Sequence, residues 1–172
     1  DDGINIWDNR KELVIDCIHD KLPDIIGFQE ALPFVKEYLD KNLSDYIIVG
    51  TGRDEDLGGE DNCIAIRRET FELIALQTFW LSPEPYVFGS QFENNDGLPR
   101  ICTTVTLRSK INNRIIRVFN THLDYRFSDV RLKQLKVLNE FIKQYDKKMP
   151  LPTFLIGDLN SVPTDKEIEY IL

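Results

Sequence analysis

Residues 23–30, Pro23-Asp24-Ile25-Ile26-Gly27-Phe28-Gln29-Glu30, decide how the chain folds. The apolar run is too short for a helix, is punctuated by proline at one end and ends in a polar pair, so it reads as a short buried strand. Helical patterns stand on both sides of it. From Asp8, a candidate N-cap, the apolar residues Leu13, Val14, Cys17, Ile18 and Leu22 recur at helical spacing until Pro23. Residues 31–43 carry a second helical pattern with Pro33 in its first turn.

Downstream, residues 46–49, 63–66, 71–76, 101–107 and 115–119 read as strands, the last two joined by a turn containing Asn112-Asn113. An amphipathic helix follows over 129–145, with Leu132, Leu135, Leu138 and Ile142 on one side. Phe154-Leu155-Ile156 is a buried strand, and Thr164 with Glu167 forms a capping box for a terminal helix. Near-continuous apolar strands need cover on both faces, which predicts a layered α/β architecture of packed sheets and helices. Two polar, glycine-bearing stretches, 50–61 and 82–99, interrupt the strands and are long enough to be functional loops.

The chain has 172 residues and 42% hydrophobic content, which suffices for one domain with a substantial core. No repeat or linker divides it, so residues 1–172 are expected to form a single domain. A net charge of -8 disfavours a surface that grips nucleic-acid backbone through Lys and Arg. It leaves phosphate chemistry open, because a bound divalent cation reverses the local charge of an acidic site. Cys17, Cys63 and Cys102 show no metal-ligand spacing and read as structural thiols. No stretch is apolar enough to span a bilayer, no stable protein partner is implied, and a monomer is expected. Localisation stays open, leaning to the cytoplasm.

Three polar clusters each follow an apolar strand: Gln29-Glu30, Asn120-Thr121-His122-Leu123-Asp124 and Gly157-Asp158-Leu159-Asn160. Side chains at the C-terminal ends of strands converge where loops gather. Singly, a carboxylate after a strand, an Asp-x-Asn turn or a lone histidine is unremarkable; three such strand ends with complementary groups point to shared chemistry. Hydrolysis of a phosphoester needs a cation, a base for water and donors for the developing charge. Glu30 is a hard oxygen ligand suited to Mg²⁺, with Mn²⁺ as the alternative. Asp158 can orient and deprotonate a water, Asn160 fixes its geometry if the chain stays extended, and His122 binds or protonates a phosphate oxygen.

At these clusters the sequence resembles the endonuclease/exonuclease/phosphatase superfamily, whose fold is shared by DNase I-like nucleases and phosphatases. Residues 23–30 resemble its metal-ligand strand, 120–124 its histidine motif and 157–161 its Gly-Asp-x-Asn motif; Phe79-Trp80-Leu81-Ser82 is similar to a segment of a bacterial branch. The resemblance implies a DNase I-like four-layer α/β sandwich of two packed mixed sheets flanked by helices, truncated at both ends, lacking its first strand and its C-terminal part. It implies a divalent-metal-dependent phosphoester hydrolase acting on nucleic acid, a phospholipid headgroup or a small phosphate ester. A non-catalytic binding module descended from the same fold is the alternative. Within the resemblance Glu60 orients the motif histidine, while Arg53 and Arg100 either contact phosphate or hold acidic neighbours, and Trp80 belongs to the core. With its partner histidine missing, a chain of this extent is expected to hydrolyse poorly by itself.

Overall fold

A computed structural model describes residues 3–171. A short helical turn, Gly3–Asn5, leads into α1 (Trp7–Lys21), β1 (Ile25–Gly27), α2 (Pro33–Asn42), β2 (Tyr46–Val49) and β3 (Ile64–Arg67). Then come β4 (Phe71–Trp80), β5 (Ile101–Ser109), β6 (Ile115–His122), α3 (Ser128–Lys148), β7 (Thr153–Asp158) and α4 (Lys166–Ile171). The strands form two sheets, ordered β1-β3-β2 and β4-β5-β6-β7. In the first, β3 runs antiparallel to both neighbours; in the second, β4, β5 and β6 are antiparallel and β7 joins β6 in parallel through α3.

Alternation along the strands builds the layers. Ile64 and Ile66 of β3 turn toward the second sheet and pack on Val105, Leu107 and Val118, with Ile25 and Ile156 at the margin. Ala65 points the other way, to Ile15 and Ile18 of α1 and Leu39 of α2. On the far face of the second sheet, Cys102 and Phe119 meet Leu135, Leu138 and Phe141 of α3. The order is helices, sheet, sheet, helix. A bulge between Leu73 and Ala75 of β4 switches its faces. Phe71 and Leu73 therefore join the inter-sheet core, while Phe79 stacks on Phe141 with ring centroids 3.8 Å apart.

Several local expectations are corrected. Asp8 lies inside the first turn of α1, after Ile6, and makes an ion pair with Lys11 instead of a cap. The buried face of α1 is Ile15 and Ile18, flanked by Val14 and Trp7, leaving Leu13 71% exposed and Cys17 exposed. Periodicity alone could not choose between two stripes a residue apart; packing on Tyr46 and Leu39 did. Phe154 is exposed, because β7 is the outer strand of its sheet among the described residues. The Thr164–Glu167 capping box does not form. Glu167, 1% exposed, instead turns inward to Arg131 of α3 at 3.0 Å.

The second sheet closes tightly at the end of β7. Gly157 has φ +130°, and a Cβ there would lie 1.9 Å from the Thr121 carbonyl oxygen. Gly157→Ala is expected to destabilise the fold by about 3 kcal/mol, combining backbone strain with overpacking. Urea denaturation measures this, and a loss under about 1 kcal/mol would mean that the two strands separate easily.

Candidate active site

The polar clusters meet at one edge of the two sheets, held there by Asn120. Asn120 shares the face of Val118 on β6, turned toward the first sheet, and is fully buried. Its Nδ2 donates to the carbonyls of Phe28 (2.9 Å) and Cys63 (3.0 Å), and its Oδ1 accepts from Gln29 Nε2 at 2.8 Å. The approach requires a glycine opposite, since a Cβ on Gly27 would come within 2.7 Å of Asn120 Oδ1. Asn120 thus fastens the end of β1, and with it Glu30, to the end of β6.

His122 and Asp158 are register partners in the parallel β6–β7 pair. They share the faces of Asn120 and Ile156, so both project along the inter-sheet edge. Both belong to the strands themselves, a residue or more earlier than loops following the apolar runs would place them. Their nearest side-chain atoms, Nε2 and Oδ2, are 4.0 Å apart, beyond a hydrogen bond. His122 is 7% exposed, and burial lowers its pKa from the ordinary 6.5. The charge of Arg100 and, more weakly, Arg53 adds to this, while Asp158 and Glu30 oppose it. The imidazole is therefore held toward its neutral form between a carboxylate side and a guanidinium side.

On the carboxylate side, Glu30 follows β1 with φ 57° and is exposed, and its carboxylate has no protein partner among the described residues. Asp158 accepts from the backbone N–H of Asn160 at 2.8 Å. Asn160 does not extend the strand. At φ 49° it curls back, and its Nδ2 donates to the Leu123 carbonyl at 2.9 Å, tying the loop after β7 to the end of β6. Among the described residues no three His, Cys, Asp or Glu side chains are grouped to hold a metal ion. Two oxygen donors, Glu30 and Asp158, fit a hard cation that keeps most of its waters, as Mg²⁺ does, and not an all-protein cage.

On the other side, Arg53, Glu60, Asn62, Pro99, Arg100, Ile101 and His122 line a recess too tight to admit a water molecule. Glu60 shares the recess with His122, but its carboxylate takes Arg53 Nη1 at 2.6 Å. Burial lowers the pKa of Arg53, with Glu60 opposing that shift. The Trp80 indole, 1% exposed, is core, and its Nε1 donates to the Arg53 carbonyl at 2.6 Å. Backbone hydrogen bonds pairing Ala31 with Asp61 (2.9 and 3.2 Å) draw the 50–61 loop to Glu30. Lys36 Nζ meets Asp61 Oδ2 at 2.7 Å and the Gly50 carbonyl at 2.7 Å, bracing that join. Sequence reasoning singled out neither Asn62 nor Asp96, which supports Arg100, and quoted Asn120 only within the histidine motif, with no role of its own; each is one polar residue among many until the strands are paired.

In metal-free protein the lowered pKa of His122 has a definite sign. The unfolded chain takes up this proton more readily than the folded one, so the fold loses stability as pH falls through 6.5 and regains it above. His122→Gln is expected to flatten the dependence of the urea midpoint on pH between about 7 and 5. An unchanged slope would show that the imidazole is not held neutral.

A sequence model described as the Endonuclease/Exonuclease/phosphatase family matches residues 4–172. A search of curated proteins returned no match. Among solved structures, the chain is similar to a Bacteroides thetaiotaomicron mannosyl-6-phosphatase at 26% identity and a TM-score of 0.91, covering 96% of this chain and 62% of that one. A Bacteroides vulgatus endonuclease/exonuclease/phosphatase shows 28% identity and a TM-score of 0.90, covering 98% and 64%. A second Bacteroides thetaiotaomicron protein, of the endonuclease/exonuclease/phosphatase family, shows 27% and 0.89, covering 96% and 60%. The chain thus spans under two thirds of the length of these relatives.

Proposed function

The chain belongs to the endonuclease/exonuclease/phosphatase family, and from that premise we propose that it carries the site of a divalent-metal-dependent phosphoester hydrolase acting on a small phosphomonoester. The observation that carries the reading is the juxtaposition at His122: unpartnered carboxylate oxygen on one flank, buried guanidinium on the other. An anionic ester and a cation can occupy adjoining places there.

Each group has a role in this reading. Glu30, on the same side of His122 as Asp158, would hold Mg²⁺ or Mn²⁺ through oxygen. When bound, the cation neutralises phosphate charge and makes water more acidic. Asp158, held by the Asn160 N–H, takes the proton of the attacking water. Asn160 acts through its backbone and through its hold on Leu123, keeping Asp158 in place. His122, entering neutral, hydrogen-bonds a phosphate oxygen, and Glu60 acts on it indirectly by setting Arg53. Arg53 and Arg100 present donors to the remaining oxygens.

Two observations favour a monoester. The structurally similar mannosyl-6-phosphatase is named for a sugar phosphate. The net charge of -8 also disfavours long nucleic acid.

The complete protein with Mg²⁺ should hydrolyse a hexose phosphate faster than a dinucleotide or a phospholipid headgroup diester. Asp158→Ala should lower kcat by roughly 100-fold or more, and Glu30→Gln should raise the cation concentration needed for half-maximal rate. Preference for the diester would overturn the substrate class. Full activity in Asp158→Ala would overturn the site.

A further inference from the structure

The 82–99 loop is fastened at one buried carboxylate. Asp124, 0% exposed, accepts at Oδ2 from the backbone N–H of Asp96 (2.9 Å) and at Oδ1 from those of Arg126 (2.8 Å) and Phe127 (2.7 Å). Its own N–H donates to Gln134 Oε1 of α3 at 2.9 Å. The carboxylate is therefore fixed between β6 and α3, and it fixes Asp96 in turn.

Asp96 carries the constraint to the recess. Its side chain is 0% exposed, its Oδ1 accepts from the Leu98 N–H at 3.1 Å, and its Oδ2 takes Arg100 Nη2 at 2.5 Å. Arg100 is 3% exposed, yet its Nε and Nη1 have no hydrogen-bond partner among the described residues. Arg131 is the contrast. Also buried, it directs Nε to Glu167 and Nη1 to the Asp124 carbonyl. Arg117, in an ion pair with Asp146 away from the site, leaves only Nε open; Arg100 leaves two donors open and lines the recess, prepared for an acceptor that arrives later.

We propose that Asp96 is a positioning residue for phosphate: it holds Arg100 by one nitrogen so that the remaining donors are kept for an oxyanion bound beside His122 and Arg53. This rests on the phosphoester reading of the same site, and it makes the 82–99 loop part of the binding apparatus. Asp124 acts one step further back, by anchoring Asp96.

A double-mutant cycle on the complete protein tests the proposal. The affinity for inorganic phosphate is measured by calorimetry, and KM and kcat with the monoester, for wild type, Asp96→Asn, Arg100→Gln and the double variant. Asp96→Asn should weaken phosphate binding and raise KM by about tenfold with a smaller change in kcat, and the double variant should match Arg100→Gln alone. Additive losses, or wild-type affinity in Asp96→Asn, would overturn it. If Asp96→Asn fails to fold, the wild-type Arg100 Nε–H resonance decides: it should shift on titration with phosphate, and an unmoved resonance overturns the proposal. Wild type that binds phosphate through the cycle but hydrolyses no phosphoester would defeat the proposed function while leaving this inference standing. Hydrolysis with phosphate affinity insensitive to Arg100 would do the reverse.

Discussion

The structure depends on one buried amide. Asn120 reaches from the second sheet to the backbone of the first, satisfying two carbonyls and accepting from Gln29, in a space left open by Gly27. Elsewhere the two sheets meet through Ile64, Ile66, Val105, Leu107 and Val118, contacts that fix how far apart the layers lie but tolerate sliding. Hydrogen bonds of defined direction remove that freedom at the edge where it matters. Each partner stranded without Asn120 would cost about 1–3 kcal/mol as an unmet buried group, so the register of the edge is enforced energetically.

From that fixed edge the electrostatics follow. Glu30 arrives on the first sheet, His122 and Asp158 on the second, and the 50–61 and 82–99 loops bring Arg53 and Arg100 from two further places in the chain. Each guanidinium has one carboxylate of its own, Glu60 or Asp96, so the recess is close to neutral before a ligand enters. The Glu30 carboxylate, by contrast, has no hydrogen-bond or ion-pair partner among the described residues. On the proposed reading, a site built in this way would accept a cation and an anion together more readily than either alone, as metal-assisted attack on a phosphate requires.

Much of this was legible in the sequence, and the limits have physical reasons. The strands and their order were visible because buried strands are apolar runs of fixed length, and Glu30, His122 and Asp158 because they stand where such runs end. The helix faces of α1 were less legible, since Leu13 and Ile15 are equally apolar and only Leu39 and Tyr46 distinguish them. Asn160 was read as continuing a strand, but its left-handed backbone turned it into a clamp on Leu123. Glu167 looked like a capping residue because a local pattern competes poorly with a buried arginine 36 positions away in the chain. Asp96 carried no signal at all; its importance exists only once Asp124 is placed beside it.

On the proposed reading, carboxylates from both sheets would share one cation at the edge fastened by Asn120. Paramagnetic broadening by substoichiometric Mn²⁺ in the amide spectrum of the protein tests it most directly. Residues next to Glu30 on the first sheet and residues next to His122 and Asp158 on the second should broaden together at the same Mn²⁺ concentration. Broadening confined to one sheet, or scattered over exposed carboxylates elsewhere, would contradict the account.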